Sequence, residues 1–176
     1  AYRRHTLAYV PSARGERGSS LESSVLTNLM VEWRDAFGPL GLFRRQQTVA
    51  RARRLLESFD IRCSLRAPMK TLSGGNRQRL ILARELETAK PLALFAEPTW
   101  GIDVEATAFV HRRIMELRDQ GCAVILISSD LDEVLALADR ILVLHGGRIA
   151  AELGNTGELT KRDLGRTMLG LRQEVA

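Results

Sequence analysis

Two short apolar runs, each followed by an amphipathic segment, most constrain how this chain can fold. Residues 91–97 (PLALFAE) and 122–128 (CAVILIS) have the composition of strands that are buried on both faces of a sheet. The segments that follow them, residues 105–119 and 130–139, carry apolar residues at the spacing of one helical face. Strands that alternate with helices in this way predict an α/β fold with a mostly parallel sheet.

The other segments predict a third strand, a helical lobe and a hairpin. Residues 7–11 (LAYVP) read as a short strand that enters the fold almost at once, so we expect the chain to be truncated at its N terminus. Two stretches with helical spacing, 24–37 and 44–61, predict a lobe at the side of the sheet. Farther on, RILVLHGGRIAAEL predicts two strands joined by Gly146 and Gly147.

The composition is that of a globular domain with a basic balance. Hydrophobic residues make up 45% of the chain and charged residues 27%, which excludes a disordered tail or a fibrous repeat. A formal charge of +5 leaves nucleic acid and an anionic membrane open as partners. Every apolar run is shorter than the ~18–20 residues that span a bilayer. Cys63 and Cys122 stand in no metal-binding pattern, so no metal site is predicted.

Residues 72–78 (LSGGNRQ) are the strongest candidate for a binding site. Gly74 and Gly75 allow a ligand to approach the backbone, and Ser73 supplies a hydroxyl and a helix N-cap. The first amides of the following helix would point outward with the positive end of its dipole, as a phosphate group requires. Taken alone, the same residues favour an ordinary turn with a helix cap.

Polar residues follow both apolar runs at the point where each predicted strand ends. Glu97, Pro98 and Thr99 come after the first run, and residues 128–130 (SSD) close the second. Open α/β sheets bind their ligands at the carboxyl ends of neighbouring parallel strands. The neighbourhood of residues 72–78 therefore strengthens the case for a ligand site.

Four motifs together resemble the ATP-binding subunit of ATP-binding-cassette transporters. LSGGNRQ resembles the signature motif of that family, LALFAE its Walker B strand, PTWGID its D-loop and ILISSD its H-loop region. The order and spacing agree over residues 7–154. Within the family, LSGGN, SSD and VPSARGERG are most similar to the second, carboxyl-terminal cassette of two-cassette importers for simple sugars and nucleosides.

The resemblance implies a P-loop NTPase-like fold, with a mostly parallel sheet and a helical side lobe, over a partial cassette spanning residues 1–176. It divides the chain into a lobe at 24–72, a core with the four motifs at 73–154 and a tail at 155–176. It also implies functional residues. The residues expected to contact ATP are Leu72, Ser73, Gly74, Gly75, Gln78 and Asp103, and the catalytic carboxylate is expected to be Glu97.

The implied cofactors are ATP and, in the assembled transporter, Mg²⁺. The implied partners are a preceding cassette of the same polypeptide, transmembrane permease subunits and, indirectly, a solute-binding protein. The place of action would be the cytoplasmic face of the cell membrane, and nucleic acid is not expected. The chain would be part of an ATP hydrolase, inactive when isolated.

Several positions depart from the family pattern, and all of them lie in motifs that serve the cassette's own nucleotide site. The sequence has no GxxxxGK[ST] loop, Ala96 replaces the Walker B aspartate, Ser129 replaces the H-loop histidine and Ser12 stands near the Q-loop glutamine position. In the family, these motifs serve the nucleotide of their own cassette, whereas the signature serves the nucleotide of the partner. The resemblance therefore implies a degenerate cassette whose signature completes the partner's ATP site.

Two alternatives remain open at this stage. One is a non-transport cassette that acts in DNA repair or translation, and the other is an inactive truncated fragment. The arginines at 44, 45, 51, 53 and 54 could form a nucleic-acid stripe, although such runs more often form the solvated face of a helix. Trp33 is expected to pack in the helical lobe, and Trp100 to cover the edge of the site or a dimer interface.

Overall fold

The computed structural model describes residues 6–12, 18–38 and 41–170, which form two compact units divided after Ile125. The strands are β1 (Leu7–Val10), β2 (Leu92–Ala96), β3 (Ala123–Ile127), β4 (Arg140–His145) and β5 (Arg148–Gly154). The helices are α1 (Val25–Met30), α2 (Arg45–Ser58), α3 (Gly74–Leu86), α4 (Val104–Asp119), α5 (Leu131–Leu137) and α6 (Lys161–Met168). Short 3₁₀ turns occur at Arg34–Ala36 and Met69–Thr71.

The sheet of the first unit has the order β1-β2-β3, and β1 runs parallel to β2. In β2, Ala93 and Phe95 are buried, while the alternate residues Leu92, Leu94 and Ala96 are half-buried. The expectation that 122–128 is buried on both faces is wrong for β3, because Ile125 and Ile127 are 49% and 54% exposed. These two side chains share one face of the strand, and that face is uncovered.

Helix α3 is the central element of the first unit. It packs against β1, α1, α2 and α4. Four consecutive residues near its middle, Leu80 to Ala83, are fully buried, so the helix is enclosed on all sides and not on a single face. The N-cap predicted at Ser73 is confirmed, because the Ser73 hydroxyl accepts a hydrogen bond from the Asn76 amide.

Buried charges fix the C-terminal end of α3 against β1. Glu85 accepts a hydrogen bond from the backbone amide of Tyr9 at 3.3 Å and pairs with Arg84 at 3.0 Å. The buried Lys90 ammonium lies 3.3 Å from the Glu32 carboxylate and 3.7 Å from that of Glu85. A buried charge is tolerated when it is paired in this way, and the pairing joins helix, strand and lobe.

The helical lobe differs from the predicted pair of long helices. The stretch 24–37 forms a helix only as far as Met30, and a turn then brings Trp33 into the interior. The Trp33 indole donates a hydrogen bond to Glu87 at 2.6 Å. No proline or glycine interrupts this stretch, so tertiary packing overrides the local helical pattern.

Arg51 joins the pieces of the lobe. Its guanidinium lies 4.3 Å from the centroid of the Trp33 ring, pairs with Glu87 and donates to both Asp35 oxygens at 2.9 Å. Burial opposes the charge, but hydrogen bonds and attraction from Glu87 and Asp35 outweigh it and raise the pKa of Arg51. Arg51 is therefore a structural residue, unlike the exposed Arg53 on the same helix.

The second unit contains the predicted hairpin. Strands β4 and β5 pair antiparallel from Arg140–Gly154 to His145–Arg148, and the two glycines between them have positive φ values of 55° and 74°. Positive φ at both central residues is the geometry of a tight hairpin turn. Ile141, Val143 and Leu164 of α6 form the core of this unit.

We predict that Arg51→Ala lowers the free energy of unfolding by about 2–3 kcal/mol, because Glu87 then keeps a half-buried carboxylate without its cationic partner. Arg53→Ala, on the same helix, is the matched control and is expected to change the free energy by less than about 0.5 kcal/mol. Urea denaturation followed by circular dichroism measures both. Equal effects of the two substitutions would contradict the structural role of Arg51.

Candidate functional site

Residues 72–78, called the signature turn below, place the start of α3 at the surface. Leu72 is buried and extended, Ser73 is exposed and α3 begins at Gly74. The Asn76 amide is capped by Ser73 at 3.2 Å, while the amides of Gly74 and Gly75 precede the first i−4 pairing of the helix. The first turn carries no acidic residue, so nothing on it offsets the positive end of the helix dipole.

The two glycines also allow α3 to approach the loop that leads into α4. A β-carbon at Gly75 would lie 3.0 Å from the Ala106 β-carbon and 3.3 Å from an Asp103 carboxylate oxygen. A β-carbon at Gly74 would lie 3.4 Å from the Gly101 carbonyl oxygen, an ordinary contact distance. A side chain at Gly75 would therefore require Ala106 or Asp103 to shift by a few tenths of an ångström, whereas Gly74 has room for a side chain.

Residues 97–103, called the 97–103 loop below, connect β2 to α4 through successive turns. Glu97 has a φ of 47°, in the left-handed region, and its carbonyl accepts from the Trp100 amide at 3.3 Å. Asp103 ends the loop by capping α4, since its carboxylate accepts from the Ala106 amide at 2.8 Å. Trp100 is 71% exposed, so this loop presents a large aromatic surface beside the signature turn.

The structure brings together some of the predicted site residues and buries others. Gly74, Gly75 and Asp103 lie at one junction between the signature turn and the 97–103 loop. Leu72 and Gln78 are inside the fold, and within the described residues neither polar atom of the Gln78 amide has a hydrogen-bond partner. Their side chains can support the turn, and their predicted contact with ATP remains a prediction, as does the catalytic role of Glu97.

Ser129, at the position of the family's H-loop histidine, belongs to the second unit. It is exposed after the end of β3. The neighbouring Asp130 caps α5 by accepting from the amides of Asp132 and Glu133 at 2.9 and 3.4 Å. The main local role of Asp130 is therefore to start helix α5.

Sequence reasoning missed the polar network beneath the signature turn. Arg79 is buried, and it joins Asp60 at the end of α2 to Glu105 in the first turn of α4. These residues are 19 and 26 positions away from Arg79, so no local pattern connects them. The one available signal was the position of Arg79 directly before the apolar run Leu80–Ala83, since an arginine that is buried requires a partner.

The described part of the chain shows neither a metal-binding cluster nor a helix that could cross a membrane. Among residues 6–12, 18–38 and 41–170, no group of three or more His, Cys, Asp and Glu side chains is arranged to hold a metal ion. Within the same ranges, no helix combines the length and the apolar content needed to cross a bilayer.

The chain has extensive sequence similarity to import ATP-binding proteins. It is 35% identical over 173 residues to the guanosine import ATP-binding protein NupO of Bacillus subtilis, which is 97% of this chain and 34% of the relative. It is 40% identical over 152 residues to the ribose import ATP-binding protein RbsA of Corynebacterium glutamicum, 86% of this chain and 29% of the relative. The chain thus spans about a third of the length of such relatives. No protein-family profile matches it.

Comparison with solved structures shows the same fold. The ATP-binding cassette MJ0796, in a dimeric post-hydrolysis state bound to ADP and Pi, superposes with a TM-score of 0.72 over 89% of this chain and 66% of that cassette. The sequence identity is 21%, so this similarity concerns the fold alone. The resemblance inferred from the four motifs is confirmed. The relatives that match most of its length are import ATP-binding proteins, and its fold is that of an ATP-binding cassette.

Proposed function

We propose that this chain is an ATP-binding component of an importer for nucleosides or simple sugars, and that its signature turn completes a nucleotide site held by a second cassette. The observation that carries the proposal is the start of α3, where Ser73 is exposed, Gly74 is half-buried and Gly75 is buried directly behind them. The Ser73 hydroxyl and the first amides of the helix stand at its positive end, and its first turn carries no acidic residue. The names of the matched relatives support the substrate class.

The donor set of the signature turn fits the terminal phosphate of ATP. Backbone amides and a hydroxyl donate hydrogen bonds to phosphate oxygens, and the helix dipole favours the negative charge. Gly74 has no β-carbon, so a phosphate can reach the backbone without displacing a side chain. The role of this chain's residues would be to bind and orient the phosphate and to exclude water from it.

The end of β2 does not fit Mg²⁺. Ala96 supplies no oxygen ligand where the family pattern has an aspartate, and Glu97 is the one carboxylate at that end of the strand. We therefore assign the metal and the main hydrolytic step to the site of the second cassette. Glu97, which follows Ala96 and not an aspartate, would contribute little turnover of its own.

The helical lobe offers a surface for the permease subunits. Phe37 and Phe43 face each other across a short bridge, with ring centroids 5.6 Å apart, and Gly38 donates to the Leu42 carbonyl at 2.8 Å. Phe37, Leu42 and Phe43 are 51%, 70% and 41% exposed, and we call them the lobe patch. The apolar sequence of this segment also predicts Leu40 in the surface, but Leu40 lies outside the described residues.

Contiguous exposed apolar side chains of this kind mark interaction surfaces. We assign the lobe patch to transmembrane permease subunits at the cytoplasmic face of the membrane. A solute-binding protein would interact indirectly, through the permease.

We predict that Gly74→Asp lowers the ATPase rate of the assembled transporter on the order of 100-fold or more, because the carboxylate and the terminal phosphate repel each other strongly in a water-poor interface. Gly74→Asn has the same shape without the charge and is the matched control, with an expected loss below about 10-fold. An acidic residue at the start of a helix is stabilising, so misfolding does not account for the loss. ATPase assays and thermal unfolding measure the two properties. A Gly74→Asp rate near the wild-type rate, or equal to that of Gly74→Asn, contradicts the proposal.

We predict that a cysteine at Leu42 or Phe43 cross-links to a permease subunit in membranes that contain the full transporter. The background carries Cys63→Ser and Cys122→Ser, although burial raises the pKa of both native thiols and slows their reaction. Gln120→Cys, exposed at the end of α4, is the control and should give no permease adduct. Equal yields at Gln120 and at the lobe patch count against docking at this surface.

A further inference from the structure

Arg79 carries a buried positive charge one turn beyond the glycines of the signature turn. Its side chain is 9% exposed. One guanidinium nitrogen donates to the Asp60 carbonyl and to the Asp60 carboxylate, both at 3.1 Å, and the other donates to the Glu105 carboxylate at 3.1 Å. The guanidinium also lies 4.8 Å from the centroid of the Phe109 ring. A buried guanidinium requires such partners, so Arg79 holds two carboxylates from two other elements.

The first partner, Asp60, lies just beyond the end of α2 in an unfavourable backbone conformation. Its φ is 48°, in the left-handed region that favours glycine. This conformation turns both the carbonyl and the carboxylate of the same residue toward Arg79. Backbone strain persists where surrounding interactions stabilise it, and the double contact with Arg79 is such an interaction.

The second partner, Glu105, lies in the first turn of α4, two residues after Asp103. Gly75 and Arg79 are four residues apart and therefore share a face of α3. On that face, Gly75 packs against Ala106 and Asp103, and Arg79 pairs with Glu105 one turn farther along. The close approach and the ion pair thus join the same two helix starts.

We propose that Arg79 is a positioning residue that holds the signature turn, the 97–103 loop and the end of α2 together as one body. The inference rests on the proposed function in one respect, namely that the signature turn and the loop face a nucleotide. Arg79 joins α3 directly to the end of α2 and to the start of α4, and the 97–103 loop leads into α4. Loss of these guanidinium contacts should therefore free the turn and the loop from each other.

Arg113 provides a matched control. It donates to the Ser58 carbonyl at the end of α2 at 2.8 Å and lies 4.7 Å from the Phe59 ring and 5.3 Å from the Phe109 ring. It therefore links the end of α2 to the middle of α4 through Phe59 and Phe109. Its hydrogen bonds within the described residues are to Ser58 and Glu116, outside α3, so its loss should weaken the fold without releasing the signature turn.

Amide hydrogen exchange on the chain tests the positioning role. In Arg79→Gln we expect the hydrogen-bonded amides of 76–77 and of 106–107 to exchange at least about 10-fold faster than in the wild type. Glu105→Gln should accelerate 106–107 alone. Arg113→Gln should leave both segments within about threefold of the wild type even where it lowers the melting temperature. The same exchange pattern in Arg79→Gln and Arg113→Gln, or unchanged rates in Arg79→Gln, would overturn the proposal.

A kinetic measurement separates this proposal from the proposed function. In the assembled transporter, Arg79→Gln should reduce kcat/KM for ATP about 10-fold or more, and Arg79→Lys, which keeps the charge but not the fork, should recover part of the loss. If the exchange pattern holds while Gly74→Asp leaves the ATPase rate unchanged, the positioning role stands and the nucleotide function fails. If Gly74→Asp abolishes activity while the amide exchange rates and the ATPase kinetics of Arg79→Gln equal those of the wild type, the nucleotide function stands and the positioning role fails.

Discussion

The burial of helix α3 is the constraint on which the first unit depends. The middle of the helix is enclosed on all sides by β1, α1, α2 and α4, while its cap Ser73 is exposed and Gly74 is half-buried. Displacement of such a helix would uncover four fully buried residues, Leu80 to Ala83, which makes its position costly to change. A surface turn attached to this helix is therefore held in place without extensive contacts of its own.

Polar groups determine how the two ends of α3 meet the rest of the fold. At the C-terminal end, Glu85 accepts from the backbone of β1 and contacts the buried Lys90. Toward the N-terminal end, Arg79 forms ion pairs with Asp60 and Glu105. Apolar packing is tolerant of small displacements, whereas a buried charge with fixed donors is not, so the charges give the helix a single position. The signature turn contains the first residues of this helix, so its position is fixed as well. A fixed position is the preorganisation that phosphate binding requires.

The sequence predicted the parts of this arrangement that depend on local chemistry. The Ser73 cap, the glycine hairpin of the second unit and the order of strands and helices follow from residue types at short spacing. The end of α1 at Met30 and the pairing of Arg51 with Glu87 depend on residues tens of positions apart, so periodicity could not find them.

Burial was also hard to predict. The apolar run of β3 resembles that of β2, yet its Ile125 face is exposed, because composition does not tell whether another element covers a strand. Within the candidate site, the glycines were correctly placed at a helix start. Their second role, the close approach of Gly75 to α4, requires the tertiary contact with Ala106 to be seen.

The central claim is that the first amides of α3 donate to a nucleotide held by another cassette. The exchange rates of the Gly74 and Gly75 amides, measured in the complex with the partner cassette with and without Mg-ATP, test it most directly. The account predicts that Mg-ATP slows both amides at least about 10-fold, and that a partner cassette unable to bind nucleotide abolishes the effect. Rates that stay the same when Mg-ATP is added would show that the signature turn does not contact the nucleotide.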